Sequence, residues 1–207
     1  SFESRASHSP RWSADGRYLA YYHSEASLIV VLDMQAGRPR LIPANLEVMG
    51  GWSPAGYQLA YTELAFGASG PHDPAEGSPP DATAFQSHVV VADIAASATE
   101  DLTAGEAASY SRPSWSPDGR LLATARSAAG AGGQLVLLSL NGAAARPLTA
   151  EPAFNHSAVA FAPDGRQLAF MRASLSGASA AGVWLLELAG GRPELVAENA
   201  FVPAWRP

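Results

Sequence analysis

The chain of 207 residues contains no Cys and no Lys, and only 15% of its residues are charged. Without Cys it can form neither a disulfide scaffold nor a zinc ribbon, and it has no thiol nucleophile. All 13 basic residues are Arg, and 19 acidic residues outnumber them to give a net charge of −6. A dense cationic surface for nucleic acid or anionic membrane is therefore not expected.

Long hydrophobic runs are also missing. No apolar stretch approaches the ~18 residues of a membrane span, so no direct membrane span is predicted. The chain nevertheless has 47% apolar residues, which is too many for a disordered protein. At this length a single domain over residues 1–207 with a sizeable core is expected.

A short segment recurs four times along the chain. It reads PRWSADGRYLAY over 10–21, GWSPAGYQLAY over 51–61, PSWSPDGRLLAT over 113–124 and VAFAPDGRQLAF over 159–170. Its anchoring aromatics, with the start of a fifth copy, are separated by 40, 63, 46 and 44 residues. They are Trp12, Trp52, Trp115, Phe161 and Trp205. A spacing of about 40–45 residues is that of a four-stranded propeller blade, so these aromatics are predicted to be the repeated core.

Each repeat predicts four strands, the last of which carries Pro in three blades and therefore lies at an edge. In the first blade the strands are expected at 10–13, 17–23, 28–33 and 38–42. The predicted blades span 9–42, 49–103, 112–149 and 158–197, with 201–207 starting a fifth. The expected fold class is an all-β propeller of four complete blades, either as a ring of its own or as part of a larger or open ring.

The recurrent Trp-Ser-Pro-Asp-Gly-Arg-x-Leu-Ala-Phe pattern resembles the TolB-type, WD-like propeller repeat. Two repeats depart from it, since Ala55 replaces Asp in the second and Phe161-Ala162 replaces Trp-Ser in the fourth. The resemblance implies a non-enzymatic, periplasmic scaffold that binds protein partners, as an accessory subunit of a membrane-associated or periplasmic complex. It leaves two alternatives open. One is the propeller of a prolyl-oligopeptidase-like peptidase whose catalytic domain lies outside this chain, and the other is a metal-dependent, carbohydrate-active propeller.

Strand parity separates two faces of such a blade. The Asp-Gly turns share one face, which we call the turn face. The loops between second and third strands and the connections between blades share the other, the loop face. The loop face is predicted to be variable and to carry all five His, so recognition is expected there.

An insertion over 66–85 interrupts the second blade on the loop face. It is rich in Pro, Gly and acidic residues, and a loop of this length is either functional or a tolerated addition. We interpret it as a docking arm with Phe at each end. The predicted partner-binding residues are Phe66, His72, Asp73, Glu76, Asp81, Phe85, His88 and His156.

No catalytic, metal-binding or cofactor-binding residues are predicted. The segment GWSPA over 51–55 nearly matches the G-x-S-x-G nucleophile elbow, but Ser53 is the repeat residue also found at Ser13 and Ser116. No His spacing matches a metal motif such as H-E-x-x-H. An open arc of four blades would expose apolar flanks, so the chain is expected to be part of a longer propeller or to bury its flank against a partner.

Overall fold

The computed structural model describes residues 7–66 and 85–205, apart from the side chains of Phe66 and Phe85. Within these residues the chain forms β-strands and no helix. Blade one comprises β1 (Ser7–Trp12), β2 (Tyr18–His23), β3 (Leu28–Asp33) and β4 (Pro39–Pro43). Blade two comprises β5 (Val48–Trp52), β6 (Gln58–Phe66), β7 (Phe85–Asp93) and β8 (Ala98–Asp101).

The other two blades repeat this order. Blade three comprises β9 (Ser109–Tyr110), β10 (Ser114–Trp115), β11 (Leu121–Ser127), β12 (Gln134–Ser139) and β13 (Arg146–Pro147). Blade four comprises β14 (Phe154–Phe161), β15 (Gln167–Ser174), β16 (Gly182–Glu187) and β17 (Glu194–Glu198). Every sheet is antiparallel and keeps sequence order, with β9 and β10 both pairing with β11. An all-β chain of four such sheets agrees with the predicted fold class.

The fourth strands lie at the edges of their sheets, as the Pro residues predict. Pro39 and Pro147 are within β4 and β13, and Pro193 directly precedes β17. An edge strand tolerates Pro because a missing N–H there interrupts no ladder. Blade one differs from the expected bounds mainly at its start, since β1 begins at Ser7.

The recurrent segment Ser-x-Asp-Gly forms the turn between the first two strands of a blade. In blade three the Ser116 hydroxyl donates to Asp118 at 2.6 Å and accepts the backbone N–H of Leu121 at 2.9 Å. Gly119 follows at φ +70°, a conformation that suits Gly. Ser53 is equally buried, at 2% exposure, in the corresponding turn of blade two. Its place in the fold is thus that of a turn residue.

Apolar residues of neighbouring sheets form one cluster at each blade junction. Clusters join blade one to two, two to three and three to four. No cluster among the described residues joins blade four back to blade one, so these residues show a row of blades and no closed ring.

The repeated Trp side chains cross these junctions in a fixed way. The indole N–H of Trp52 donates to the carbonyl of Arg11 at 2.9 Å, and that of Trp115 to the carbonyl of Gly51 at 2.9 Å. Trp205 repeats this contact with Ala160 at 3.2 Å. In each case the acceptor directly precedes the aromatic residue of the preceding blade, so each Trp fixes the register of two adjacent blades.

Trp12 departs from its predicted core position, because its side chain is 57% exposed. No described blade precedes it, so its indole has no neighbouring carbonyl of this kind to meet. Trp115 and Phe161, at 9% and 8% exposure, lie inside the junctions. Burial of the repeated aromatic therefore depends on the neighbouring blade.

Gly50 allows blades two and three to approach closely. A Cβ added there would lie 2.3 Å from the carbonyl oxygen of Pro113. The first strands of the two blades consequently touch backbone to backbone. The described residues contain no helix that is long and apolar enough to cross a membrane.

Candidate functional site

The loop face carries a charged cluster in each of blades two, three and four. Each cluster contains the residue four positions after the Leu of the Leu-Ala-aromatic segment, at the loop-face end of the second strand. This residue is Glu63 in blade two, Arg126 in blade three and Arg172 in blade four. The strands place the position identically, so differences between blades come from the residue present.

In blade four, Arg172 pairs with Glu151 from the preceding connection. Its Nη2 lies 2.7 Å from Oε1 and its Nε 3.1 Å from Oε2 of that carboxylate. The guanidinium carbon lies 3.4 Å from the ring centre of Phe154 and 4.4 Å from that of Trp184. A two-pronged ion pair between aromatic faces is well ordered, because the planar guanidinium satisfies both groups at once.

His156 lies directly beneath this pair and is 1% exposed. Its Nδ1 lies 2.9 Å from the Thr149 hydroxyl and its Nε2 3.1 Å from Oε2 of Glu151. Burial lowers the pKa of His156, and Arg172 lowers it further, while Glu151 opposes both by favouring the charged ring. The fold therefore favours the neutral imidazole.

Blade three repeats the arrangement with Tyr in place of His. Nε of Arg126 lies 3.0 Å from Oε2 of Glu106 and 3.2 Å from the Tyr110 hydroxyl, which also donates to Glu106. Burial and Glu106 raise the pKa of Tyr110, so the phenol stays protonated and acts as a donor. Both clusters satisfy their cation within the blade.

Blade two is different, because Glu63 places a carboxylate where the other blades have Arg. Burial raises the pKa of Glu63, Asp101 raises it further, and His88 partly offsets both. Glu63 forms no ion pair with any residue in the described part of the chain. Among the described residues, no Arg pairs with this carboxylate.

His88 and Asp101 complete the cluster of blade two. Nδ1 of His88 lies 2.8 Å from Oδ2 of Asp101, while Oδ1 accepts the backbone N–H of Thr103 at 2.9 Å. Because the ionised carboxylate only accepts, Nδ1 of His88 is the donor in this contact. Nε2 of His88 is buried and has no hydrogen-bond partner among the described residues.

A cavity of about 390 Å³ opens beside this cluster, between blades one and two. Its polar lining consists of Tyr61, Glu63, His88, Thr99 and Asp101. Its apolar lining consists of Ile42, Pro43, Leu64, Ala65 and Val90. Among the described residues the lining contains no Arg, so its carboxylates, Glu63 and Asp101, can only accept hydrogen bonds when they are ionised.

A second, mostly apolar cavity of about 320 Å³ lies along the innermost strands. Val48 of blade two, Arg112 of blade three and Val159 of blade four contribute to it, together with Val202 and Pro203. Val202 is itself 66% exposed. The first strands of three blades thus converge on one apolar depression.

The predicted partner-binding residues fall into three groups. His72, Asp73, Glu76 and Asp81 lie outside the described residues. Phe66 and Phe85 end the long hairpin of β6 and β7 and pair with each other across it.

His88 and His156 are the third group; the sequence predicts both on the loop face, His88 at the start of a third strand and His156 before a first strand. Their side chains are buried, at 7% and 1% residue exposure. The strands β7 and β14 carry them inward, where His88 contacts Asp101 at the end of β8 and His156 contacts Glu151 of the connection before blade four. Direct contact with a partner would have to be made by Asp101 or Glu151, and their role in binding stays a prediction.

The clusters are suited to electrostatic recognition. Within the described residues, no group of three or more His, Asp or Glu lies close enough together to hold a metal ion.

Sequence reasoning missed Glu63 and Arg172 as members of these clusters. Comparing the fourth residue after each repeat Leu would have shown the charge difference.

Similarity to solved structures concerns the fold. The chain matches TolB from Acinetobacter baumannii with a TM-score of 0.65 at 15% identity, over 95% of this chain and 44% of that one. It matches an oligogalacturonate lyase from Vibrio parahaemolyticus with a TM-score of 0.65 at 13% identity, over 94% of this chain and 54% of that one. No protein-family model and no curated protein matches the sequence.

A prolyl endopeptidase structure is similar to the same extent, with a TM-score of 0.63 at 13% identity. The match covers 94% of this chain and 29% of that one. At such identities the similarity shows a TolB-like propeller fold and no more than the fold. The chain spans about half or less of the length of these three proteins.

Proposed function

We propose that the chain is a TolB-like propeller segment that acts as a non-enzymatic scaffold for protein binding in an extracytoplasmic assembly. The observation that carries the proposal is the exposed indole of Trp12. Three equivalent indoles donate to a neighbouring backbone carbonyl at 2.9–3.2 Å, whereas Trp12 is 57% exposed. A Trp in this register is suited to packing against a further protein surface.

Other exposed apolar side chains support this interpretation. Leu41 on blade one is 56% exposed, and Phe201 and Val202 after blade four are 64% and 66% exposed. Aromatic and aliphatic groups of this kind anchor protein interfaces. The charged clusters of the loop face would then supply orientation and specificity, since complementary charge selects partners more than it adds affinity.

The extracytoplasmic location rests on the resemblance of the repeats to the TolB type. The alternative of a peptidase propeller is favoured by the third similarity, in which this chain matches 29% of a prolyl endopeptidase chain. In that case the partner surface would belong to a catalytic domain. The two functions differ in whether the partner is a hydrolase joined to the propeller.

Partner capture with matched variants tests the proposal. The purified chain, the Trp12→Ala variant and the Arg166→Glu variant on the turn face are used as baits in extracts of the source cells. We expect the same specific protein with the unchanged chain and with Arg166→Glu, and its loss with Trp12→Ala. Equal capture by all three baits would contradict a role for this flank, and capture of a hydrolase encoded with the propeller would favour the alternative.

A deletion tests the insertion separately. Residues 67–84 are replaced by a short Gly linker between Phe66 and Phe85. Loss of the captured protein with unchanged thermal stability supports the docking arm. Full retention of binding would make the insertion a tolerated addition.

A further inference from the structure

The cavity between blades one and two lies beside the charged cluster of blade two, which differs in charge from the clusters of blades three and four. In blades three and four the second strand carries Arg126 and Arg172 near its loop-face end, and each guanidinium is paired with a carboxylate of the preceding connection, at 3.0 Å and 2.7 Å. The corresponding residue in blade two is Glu63. The pattern therefore leaves blade two with carboxylates and without the guanidinium.

Asp101 is held rigidly at the wall of this cavity. Its Oδ2 accepts from Nδ1 of His88 at 2.8 Å, and its Oδ1 accepts from the backbone and hydroxyl of Thr103 at 2.9 Å and 3.3 Å. Two-thirds of the Asp101 side chain is buried, with 33% exposed. A fixed and partly desolvated carboxylate interacts more strongly with a cation than a mobile one at the surface.

His88 is a second and independent sign of a ligand-binding site. Its side chain is only 9% exposed and lines the cavity. In the neutral tautomer with its proton on Nδ1, Nε2 is an acceptor, and it has no partner in the described part of the chain. A buried polar atom without a hydrogen-bond partner destabilises the fold unless a ligand binds it.

Shape and wall chemistry define the occupant further. The volume of about 390 Å³ exceeds that of a single ion, and Ile42, Pro43 and Leu64 add apolar surface to the lining that holds the carboxylates. A ligand that fits has a cationic head that donates hydrogen bonds and an aliphatic stem. Guanidinium and ammonium groups on alkyl chains have this composition.

We propose that this cavity binds an aliphatic organic cation, an alkylguanidinium or alkylammonium group, with its head between Glu63 and Asp101 and its stem against the apolar wall. The site does not depend on the scaffold role. Two sources share this chemistry, a free amine or guanidine and an Arg or Lys side chain of a peptide. The occupant takes the place that Arg126 and Arg172 fill in the other blades.

Calorimetric titration of the 207-residue chain with butylguanidinium tests the proposal. We expect saturable binding, and binding of the neutral analogue butylurea that is about ten-fold weaker or less. Glu63→Gln should weaken butylguanidinium binding by about the same factor. Glu100→Gln is the matched control, because Glu100 precedes Asp101 in β8 and lies on the other face of the sheet, opposite Val91. It should bind like the unchanged chain.

A capped tripeptide with central Arg distinguishes the sources. Binding as tight as that of butylguanidinium supports a side chain of a partner, and binding of butylguanidinium alone supports a free small molecule. No saturable binding of either cation, equal binding of butylurea, or no effect of Glu63→Gln would overturn the proposal. If Glu63→Gln fails to fold, the NMR resonances of His88 and Tyr61 decide, since they must shift as butylguanidinium is added to the unchanged chain.

Discussion

Trp115 tests how the blades are joined, because its environment differs sharply from that of Trp12. Its side chain is 9% exposed, belongs to the cluster between blades two and three, and donates to the Gly51 carbonyl at 2.9 Å. Replacing it by Ala leaves a cavity and an unpaired carbonyl, so we expect a loss of about 3–5 kcal/mol in unfolding free energy. Trp12→Ala should cost less than about 1 kcal/mol, since most of that side chain is already in water.

Trp115→Phe separates packing from the hydrogen bond. Phe161 occupies the same position in blade four and is 8% exposed, so the junction accepts a benzyl ring. The variant loses the indole donor and some volume, and we expect a cost of about 1–2 kcal/mol. The expected order of destabilisation is therefore Trp115→Ala, then Trp115→Phe, then Trp12→Ala.

Urea unfolding at 25 °C, followed by far-ultraviolet circular dichroism, measures all three variants. Circular dichroism is preferable to Trp fluorescence because each substitution removes a Trp side chain, which is itself a fluorophore. Adjacent blades can unfold separately. Unfolding free energies are therefore compared only for variants in which the dependence of the free energy on urea concentration equals that of the unchanged chain. Equal destabilisation by Trp12→Ala and Trp115→Ala would refute the account of the junctions.

Three further predictions concern single residues. Gly50→Ala should lower the unfolding free energy by about 1–3 kcal/mol, because the new methyl would lie 2.3 Å from the Pro113 carbonyl oxygen; an unchanged urea midpoint would contradict the close approach. Ser116→Ala should cost about 1–3 kcal/mol, since it removes the acceptor of a buried turn N–H; calorimetric melting measures it, and a melting temperature equal to that of the parent would contradict it. His156 has a lowered pKa in the fold, so its contribution to stability is complete above the ordinary imidazole value of about 6.5 and is lost as pH falls below it. The urea midpoint should therefore fall less steeply from pH 8 to pH 5 for His156→Gln than for the unchanged chain. The same pH dependence in both proteins would show that His156 does not cause the loss of stability.

The architecture was predictable because it repeats. The Asp-Gly turns, the Leu-Ala-aromatic strands and the edge Pro residues recur at a fixed spacing, and each has one structural meaning in a blade. Their recurrence identified the order of strands and the two faces. The exposure of Trp12 was not predictable in this way, because burial of the repeated aromatic residue depends on an adjacent blade, which lies outside the repeat itself.

The clusters of the loop face were only partly predictable. His88 and His156 were assigned to that face, but their carboxylate partners come from different parts of a blade. Asp101 ends the strand β8, whereas Glu151 lies in the connection that precedes blade four. No fixed spacing therefore links partner to partner. Glu63 was overlooked for another reason. Its negative charge is notable only because the equivalent strand position in blade three is Arg126, and the sequence analysis did not compare these positions.

Site-specific photocross-linking in the source cells tests the central claim most directly. A photoreactive phenylalanine replaces Trp12 on the exposed flank, Glu25 on the loop face, or Arg166 on the turn face as the control. The scaffold account predicts a discrete cross-linked protein at position 12, the same protein at position 25 or a second one there, and none at position 166. Absence of any cross-linked protein at positions 12 and 25, or the same products at all three positions, would contradict it.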